Sequence, residues 1–255
     1  MKLPLYVQVA ARVRELIERE GLQPGAALPS ETDLRARLAV SRATIRQALL
    51  ELELEGWIDR QQGRGTFVAL PPLERSLPEL TSFTEHLASK GLASASRLVR
   101  YLEVGEGFRP ALLPSPDSPE PRLFGRAGPL VCVVRLRLAN VAPIGLHTTL
   151  VPQALAQEIG FTAERLGADE SCSLYACMEL HGYRLRSAEE HLRARVTSVG
   201  EARLLEVPRR TPVMSVLRLT RGEGGELLEV VRAVYLGDKY DYVITLDRSG
   251  ATPRR

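Results

Sequence analysis

The spacing of apolar residues changes along the chain and predicts two differently built parts. In the first part, apolar positions recur every three or four residues, which is the period of an amphipathic helix. Residues 4–20 are the first such segment, and their apolar stripe consists of Leu5, Val9, Val13, Leu16 and Ile17. Beyond residue 96, short apolar runs bounded by turn residues predict strands. The pattern therefore favours a helical N-terminal domain and a β-rich remainder.

Residues 28–68 predict helices followed by a hairpin. Ser30 and Asp33 have the spacing of a capping box at the start of a short helix, which carries Leu34 and Leu38 on one face. Ser41 is a second N-cap residue, directly after the break at residues 39–40. Two helices joined this tightly are typical of the helix-turn-helix, which places its second helix in the major groove of DNA.

Positive charge is concentrated at the start of the second helix. Four arginines and no acidic residue lie between Arg35 and Leu50, whereas Glu51, Glu53 and Glu55 follow at the far end. This polarity predicts that the N-terminal end of the helix meets phosphates. For such a helix taken alone, a solvated basic face is an equally good interpretation.

The end of the second helix and the segment after it also have clear signals. Gly56 suits the left-handed residue that ends a helix, and Trp57 is the apolar residue expected just beyond it. Two strand-like segments then flank residues 61–65, a glycine-containing tip that includes Gly63, Arg64 and Gly65. This hairpin is expected to be a wing that approaches a DNA groove.

Composition divides the chain into domains. Residues 1–69 are expected to form one small domain, and residues 70–78, with three prolines, a semi-rigid linker rather than a strand. The second domain is expected at residues 79–248, followed by a frayed tail at 249–255. Six prolines within residues 105–129 argue for a loop there.

The residue pattern of the second domain predicts an α+β fold, in which helices flank an antiparallel sheet. Its strands are expected at residues 97–104, 130–138, 144–151, 184–196, 213–221, 227–236 and 240–246. Its helices are expected at residues 82–90, 151–159, 171–180 and 198–205. Residues 140–143 would join the second and third strands into a hairpin whose register the sequence leaves open.

Arg135 and Arg137 stand two positions apart in a predicted strand. Side chains at this spacing leave the same face of a sheet, so the two guanidiniums can together hold a phosphate or a carboxylate. Alternating charged and apolar residues are also typical of a half-exposed strand, whose outer face is solvated. Spacing alone favours this second interpretation.

The whole-chain composition fits a globular protein. Of 255 residues, 44% are hydrophobic and 25% are charged, and a net charge of +3 is too small to indicate nucleic-acid binding by itself. Cys132, Cys172 and Cys177 include no CxxC pair, which favours reduced core thiols over a disulfide framework or a zinc site. No apolar run is long enough for a signal peptide or a membrane span, so a cytoplasmic location is expected.

Residues 4–69 contain, in order, PLYVQVAARVRELI, PGAALPSETDLRARLAVSRATIRQALLELELEGWI and GRGTFV. These segments resemble the winged helix of the GntR family of bacterial transcription regulators. The resemblance implies DNA contacts at Thr32, Ser41, Arg42, Thr44, Arg46, Gly63 and Arg64, and the same predicted surface includes Arg35, Gln47 and Gly65. Arg46 is the best candidate for reading a base, because a bidentate guanidinium fits the O6 and N7 atoms of guanine.

The second domain contains, in order, VRLRLANVAPIGLHTTLVP, SLYACMELHGYRL, EARLLEVPRRTPVMSVLRL and LLEVVRAVYLGDKYDYVITL. Between residues 78 and 248 these segments resemble the UTRA effector-binding domain of HutC-type GntR regulators, whose fold is similar to that of chorismate lyase. The resemblance implies an effector pocket lined by Arg135, Arg137, His147, Ser173, Glu229 and Tyr235. His147 stands where family members often carry an acid, and it can bond a hydroxyl or amide, titrate near neutral pH, or indicate a different ligand.

These features predict an effector-controlled transcription regulator. We expect a homodimer, joined through its second domain, that represses at a palindromic double-stranded DNA operator. Release is expected when a small anionic metabolite, such as a sugar phosphate or a carboxylate, fills the pocket. The alternatives are a DNA-binding regulator without a functional pocket and, less favoured, an enzyme of the lyase-like fold. The sequence has no nucleophile with an ordered base, no metal cluster and no cofactor loop, so no catalytic residue, metal or cofactor is expected.

Overall fold

Two units make up the chain, Met1–Pro72 and Leu73–Arg255. The structure is a computed structural model that describes residues 3–61, 65–69, 72–77, 80–105, 124, 128–140 and 142–246. Several predictions fall outside the described residues, namely those for Gly63 and Arg64 at the wing tip, for most of the loop 105–129 and for the tail 249–255.

The first unit is a winged helix. Three helices, α1 (Leu5–Arg19), α2 (Glu31–Leu38) and α3 (Arg42–Leu54), precede an antiparallel hairpin of β1 (Ile58–Gln61) and β2 (Gly65–Val68). This order of helix, helix-turn-helix and wing confirms the predicted fold class of the N-terminal domain. A bridge between Ala27 and Phe67 holds the segment before α2 against the wing.

The predicted caps of the helix-turn-helix are present. Ser30 and Asp33 form a capping box at the start of α2. The Ser41 hydroxyl accepts a hydrogen bond from the Thr44 amide at 3.1 Å and so caps α3. Between the two helices the chain passes through Ala39, whose left-handed φ of 54° produces the tight turn.

A Schellman motif ends α3, as predicted. Gly56 has a φ of 74°, which glycine adopts without a steric penalty. The Trp57 N–H donates to the Leu52 carbonyl at 2.8 Å, and the Gly56 N–H donates to the Glu53 carbonyl at 3.1 Å. The turn directs the chain from α3 into the first strand of the wing.

One apolar core joins the three helices and the wing. Leu34 of α2 and Leu52 of α3 are fully buried at its centre. Four residues of the stripe predicted on α1, from Val9 to Ile17, lie in this core, as do Ile58 and Val68 of the wing. The prediction is wrong for Leu5, which is 55% exposed at the first position of α1. Because this core occupies one face of α2 and α3, their other faces remain exposed.

The second unit contains a six-stranded antiparallel sheet. Its elements along the chain are β3 (Leu73–Leu77), α4 (Phe83–Ser89), β4 (Ser94–Val104), β5 (Leu130–Ala139), β6 (Ala142–Pro152), α5 (Gln153–Glu158), α6 (Ala163–Ala168), α7 (Leu174–Leu180), β7 (Leu185–Val196), α8 (Val199–Leu204), β8 (Pro212–Gly222), β9 (Leu227–Leu236) and β10 (Tyr240–Ile244). The strand order across the sheet is β4-β5-β6-β9-β8-β7. The predicted antiparallel sheet with flanking helices is confirmed, but the strand predicted at residues 240–246 lies outside it, because β10 pairs in parallel with β3.

The two faces of the sheet pack differently. On one face, alternate apolar residues of β5, β6 and β9 form a core that includes Leu205, the C-cap residue of α8. The other face packs against α5, α6 and α7. Every residue of β5 is buried, so both faces of this strand are covered. Arg135 and Arg137 lie on the face that α7 covers.

The prediction of a linker at residues 70–78 is wrong for its second half, because Leu73–Leu77 is the strand β3. This strand pairs in parallel with β10, with Leu73 opposite Tyr240. Leu73 and Arg75 are almost completely buried. Local composition could not reveal β3, since its pairing partner lies at the other end of the domain.

The helix prediction also needs two corrections. α7 begins at Leu174 rather than near residue 171, because the Ser173 hydroxyl accepts a hydrogen bond from the Ala176 amide and makes Ser173 the N-cap. α6 was not predicted, although Thr162 caps it, because six residues contain too little of a helical period.

We expect Leu34→Ala to lower the free energy of unfolding of the first unit by about 2–5 kcal/mol, because it empties a fully buried site. Leu54→Ala is the control: this leucine is 76% exposed, and its loss should change stability by less than about 0.5 kcal/mol. Urea unfolding can be followed by the fluorescence of Trp57, the single tryptophan of the chain. Equal losses in both variants would contradict this account of the core.

Candidate functional site

The predicted DNA-binding residues that the structure describes lie on α2, in the turn, on the first half of α3 and at the start of β2. Thr44 is half-buried, and the exposed members of the set are Thr32, Arg35, Ser41, Arg42, Arg46 and Gln47. Gly65 begins β2 with a φ of 124°, a conformation that favours glycine. The exposed face of α3 therefore presents polar and cationic side chains at its N-terminal end.

Ion pairs connect α2, α3 and the wing beside this surface. Glu31 at the start of α2 accepts a hydrogen bond from Arg60 of β1 at 2.7 Å and lies 3.9 Å from the Nε atom of Arg42. Arg46, in contrast, forms no ion pair with any residue in the described ranges. Its guanidinium is therefore available to an external acceptor.

A pocket opens on the face of the sheet that carries the two strand arginines. It encloses about 470 Å³ of atom-free space, including its open mouth. Its walls come from β5, β6, β8, β9 and β10 and from the starts of α4 and α7. All six residues predicted to bind an effector line this pocket, namely Arg135, Arg137, His147, Ser173, Glu229 and Tyr235.

Arg135 is fully buried in the pocket wall. Its Nη1 atom donates to the Cys172 carbonyl at 2.9 Å, and its guanidinium lies over the ring of Phe161 at 5.0 Å. Its Nε atom is buried without a hydrogen-bond partner. Burial lowers the pKa of Arg135 to about 10, so the group remains a cation at neutral pH.

Arg137 is held by neutral partners. Its Nε atom donates to Nδ1 of His147 at 3.1 Å, its Nη1 atom donates to the Ser96 hydroxyl, and its guanidinium lies over Phe83 at 4.9 Å. In the described part of the chain, no carboxylate lies within ion-pair distance of Arg137 or Arg135. The alternative of two arginines on a solvated outer face is therefore wrong.

The pairing register of β5 and β6 settles the position of His147. Arg135 lies opposite His147, and a bulge after Arg137 leaves that residue opposite Gly145. His147 therefore shares the pocket face with both arginines. The sequence left this register open, and the structure excludes the slipped alternative that turns His147 to the other face.

The ring of His147 is neutral and its tautomer follows from its neighbours. Because Nδ1 accepts from Arg137, the ring proton belongs on Nε2, which donates to the Tyr235 oxygen at 2.8 Å. Burial, followed by the charges of Arg137 and Arg135, holds the pKa of His147 well below its ordinary value. His147 thus connects an arginine to Tyr235.

Comparison with known proteins assigns both units. Residues 5–68 match the family described as "Bacterial regulatory proteins, gntR family", and residues 116–241 match the UTRA domain. The HTH-type transcriptional repressor NagR of Bacillus subtilis is 32% identical over 96% of this chain and 96% of its own length. The chain belongs to the GntR family. It is a transcription regulator of the HutC type, with an N-terminal winged helix and a UTRA domain.

A second relative and a solved structure agree with membership in the GntR family. The mannosyl-D-glycerate transport/metabolism system repressor MngR of Escherichia coli is 26% identical over 97% of this chain and 98% of its own length. The crystal structure of PhnF from Mycobacterium smegmatis matches with a TM-score of 0.59 at 25% identity, and covers 94% of this chain and 100% of that chain. Both comparisons span the winged helix and the UTRA domain together.

Glu229 is the carboxylate that lines the pocket of this GntR regulator. Its Oε2 atom accepts a hydrogen bond from the Thr220 hydroxyl at 3.2 Å. Burial raises the pKa of Glu229, and the charges of Arg218 and Arg135 act in the opposite direction. A buried acceptor with a remaining lone pair suits a ligand hydroxyl or N–H group.

Arg218 of β8 is a pocket residue that the sequence did not reveal. It is 8% exposed, forms an ion pair with Glu190 of β7, and approaches the Tyr175 hydroxyl at 3.4 Å. Arg218 stands two positions from Val216 and from Thr220, and this spacing in a strand was a signal that the three side chains share one face. Which face they occupy depends on the β8–β9 register, which the sequence does not specify.

The described residues include neither a membrane-spanning helix nor a metal cluster. None of the helices has both the length and the apolar character needed to cross a membrane. No group of histidine, cysteine, aspartate and glutamate side chains in the described ranges is arranged to hold a metal ion.

We expect His147 to make stability depend on pH below about 6.5. Its pKa is lowered in the folded chain, so the unfolded chain binds the proton more readily and the free energy of unfolding falls as pH falls below that value. The slope due to one group is at most about 1.4 kcal/mol per pH unit. Urea unfolding between about pH 5 and 7.5 should show a smaller slope in His147→Gln.

Two comparisons sharpen this measurement. Part of the slope should survive in His147→Gln, because burial also lowers the pKa of His86. Leu54→Ala, which removes an exposed side chain and no titratable group, is the control and should keep the wild-type slope. A slope in His147→Gln equal to that of the wild type would contradict a buried, neutral His147.

Proposed function

We propose that this GntR regulator is a cytoplasmic, homodimeric repressor of transcription. It holds a palindromic operator with its two winged helices and releases the DNA when a small anionic metabolite fills the UTRA pocket. The observation that carries the proposal is the pair of buried arginines, Arg135 and Arg137, for which no described carboxylate serves as a partner. Buried charges are stable when they are paired, so an anionic ligand is the partner that this pocket suits.

The exposed face of α3 supports the DNA-binding half of the proposal. Helix-turn-helix proteins contact base edges with the N-terminal residues of the second helix, which is where Arg42 and Arg46 lie. Of these two, Arg46 has no described acidic partner. The predicted contact of Arg64 at the wing tip completes the proposed surface. One winged helix reads only a few base pairs, so specificity favours two copies on inverted half-sites.

The chemistry of the pocket supports a ligand that has an anionic end and a polar end. Arg135, Arg137 and the Ser173 hydroxyl supply donors for a phosphate or a carboxylate. Glu229 supplies an acceptor for a hydroxyl or amide group of the ligand. The Tyr235 hydroxyl, which is hydrogen-bonded to His147, supplies a further polar group for the same part of the ligand. MngR is named for a mannosyl-D-glycerate system, which supports a metabolite as the class of ligand.

A thermal-shift screen against sugar phosphates, amino-sugar phosphates, carboxylates and phosphonates tests the ligand class. A ligand present at a hundred times its dissociation constant adds about 2.7 kcal/mol to the stability of the domain that binds it. At least one anionic compound should raise the melting temperature of the wild type. Failure of every compound would support the alternative of a regulator whose pocket has no ligand.

We expect Arg46→Ala to weaken operator binding and to reduce discrimination at one base pair by about 1–3 kcal/mol, because a bidentate contact to a base is lost. An operator selected from random duplexes and a scrambled duplex can be compared by fluorescence anisotropy. Arg12→Ala, at an exposed position of α1, is the control and should change neither affinity by much. An unchanged ratio of the two affinities in Arg46→Ala would mean that another residue reads the base.

We expect Arg135→Ala to repress constitutively. The variant loses a charge-assisted hydrogen bond worth about 1.5–3 kcal/mol to the ligand, whereas the DNA-reading surface is unchanged. Release of a labelled operator should need roughly ten to a hundred times more of the compound that stabilises the wild type. Arg203→Ala, at an exposed position of α8, is the control. Identical release midpoints in wild type, Arg135→Ala and Arg137→Ala would exclude the arginine pair as the anion site.

A further inference from the structure

Two stacked tyrosines of the second domain are each hydrogen-bonded to a histidine. The ring centroids of Tyr235 and Tyr240 lie 3.9 Å apart, and the ring planes are 9° from parallel. The Tyr235 hydroxyl lies 2.8 Å from Nε2 of His147, and the Tyr240 hydroxyl lies 3.2 Å from Nδ1 of His86. A hydroxyl can donate or accept, so the proton on each imidazole decides which role the neighbouring tyrosine takes.

The Tyr240 hydroxyl donates its proton within the protein. Nε2 of His86 lies 2.9 Å from the Glu74 carbonyl oxygen, which can only accept, so Nε2 carries the ring proton. Nδ1 of this neutral ring is then an acceptor, and the Tyr240 hydroxyl donates to it. Burial lowers the pKa of His86, which favours the neutral ring.

The Tyr235 hydroxyl has the opposite role. Nδ1 of His147 accepts from the Nε–H group of Arg137, which leaves the ring proton on Nε2 and makes the Tyr235 oxygen an acceptor. The proton of this hydroxyl has no acceptor among the residues that the structure describes. Because Tyr235 lines the pocket, a ligand is the acceptor to which this proton is available.

Packing fixes the ring that carries this hydroxyl. Tyr235 is 2% exposed, and its ring lies edge-to-face with that of His147, with 5.4 Å between the centroids. Its face is covered by Tyr240. A ring packed between two neighbours cannot swing its hydroxyl to another partner, so only the hydroxyl proton is free to rotate.

We propose that His147 is a positioning residue that fixes the Tyr235 hydroxyl as a hydrogen-bond donor to the ligand. The ligand then carries an oxygen acceptor without a proton, such as a carbonyl or ether oxygen, where it faces Tyr235. This inference rests on the proposed function, which places an anionic metabolite in the pocket, and it specifies one polar group of that metabolite. A ligand that presents an N–H group at this point would bring two donors together and leave both unpaired.

Two substitutions at position 147 form a matched pair, because glutamine and glutamate have the same length and differ in one terminal group. In His147→Gln the side-chain oxygen can accept from Arg137 while the nitrogen donates to Tyr235, as the neutral imidazole does. In His147→Glu the carboxylate only accepts, so the Tyr235 hydroxyl donates to it and presents a lone pair to the ligand. The first variant keeps the direction of these hydrogen bonds, and the second reverses it.

Isothermal titration of the full chain with two pairs of compounds measures this direction. Dihydroxyacetone phosphate and glycerol phosphate share a phosphate, whereas levulinate and its reduced alcohol share a carboxylate, and each pair exchanges a carbonyl for a hydroxyl. The ratio of ketone affinity to alcohol affinity should fall at least about tenfold from wild type to His147→Glu, because the ketone then faces a lone pair. His147→Gln should keep the wild-type ratio to within about threefold. Comparison within a pair cancels the charge that glutamate adds beside the arginines.

The same ratio separates positioning from a structural role. A structural role alone would weaken both members of a pair equally, so an unchanged ratio in His147→Glu would overturn the proposal and leave the proposed anion site intact. Tyr235→Phe removes the hydroxyl through which His147 acts. In that background the ratio should be the same with and without His147→Glu, to within about threefold. A tenfold change that persists in Tyr235→Phe would also overturn the proposal.

Nitrogen NMR of the histidine rings tests the protonation of His147 without a ligand. In the labelled full chain at about pH 8, where an ordinary histidine is neutral, the ring proton of His147 should be on Nε2. The signal that disappears in His147→Gln assigns this residue. His181 provides the opposite case in the same sample, because its Nδ1 lies 2.8 Å from the Cys177 carbonyl oxygen and donates to it. A proton on Nδ1 of His147 would overturn the proposal, whether or not any of the four compounds binds.

Discussion

Two guanidiniums buried on one face of an antiparallel sheet are the constraint on which the second domain depends. Taking a cation out of water is costly unless it is hydrogen-bonded and paired. Arg135 and Arg137 find a carbonyl, a hydroxyl, an imidazole and two aromatic faces, but no described carboxylate. Burial lowers the pKa of both groups, and the charge of Arg135 lowers that of Arg137 further. In the proposed function an entering anion supplies the missing partner, which would couple ligand binding to the stability of the domain.

The strand register places uncharged polar groups beside the two arginines of the pocket. It brings His147 opposite Arg135 and brings Gly145 opposite Tyr235. A Cβ atom on Gly145 would lie 2.7 Å from the Tyr235 ring, so glycine is needed for that ring to reach His147. The resulting chain of hydrogen bonds from Arg137 through His147 to Tyr235 fixes polar groups beside the anion site. In the proposed function, these groups and Glu229 bind the rest of the ligand.

How much of the fold and of the candidate site could be predicted from the sequence depends on how far apart along the chain the interacting residues lie. The capping box at Ser30, the cap at Ser41 and the glycine at position 56 are local features, and the structure has all of them. The antiparallel sheet and the pocket position of the arginines followed from strand patterns and family resemblance. The strand β3 could not be predicted in this way, because it pairs with β10 from the far end of the domain. Arg218 was missed for a similar reason, since its face depends on a register that only tertiary packing fixes.

In the proposed function, one ligand bound by the buried arginines controls the affinity for DNA. Linkage makes this claim quantitative: a ligand that weakens operator binding must itself bind more weakly to the operator complex, and by the same factor. Isothermal titration of the stabilising metabolite into the free protein and into the protein with saturating operator measures that factor directly. The proposed function predicts weaker ligand binding to the complex, by roughly 5- to 150-fold. Equal ligand affinity in the presence and absence of operator would contradict it.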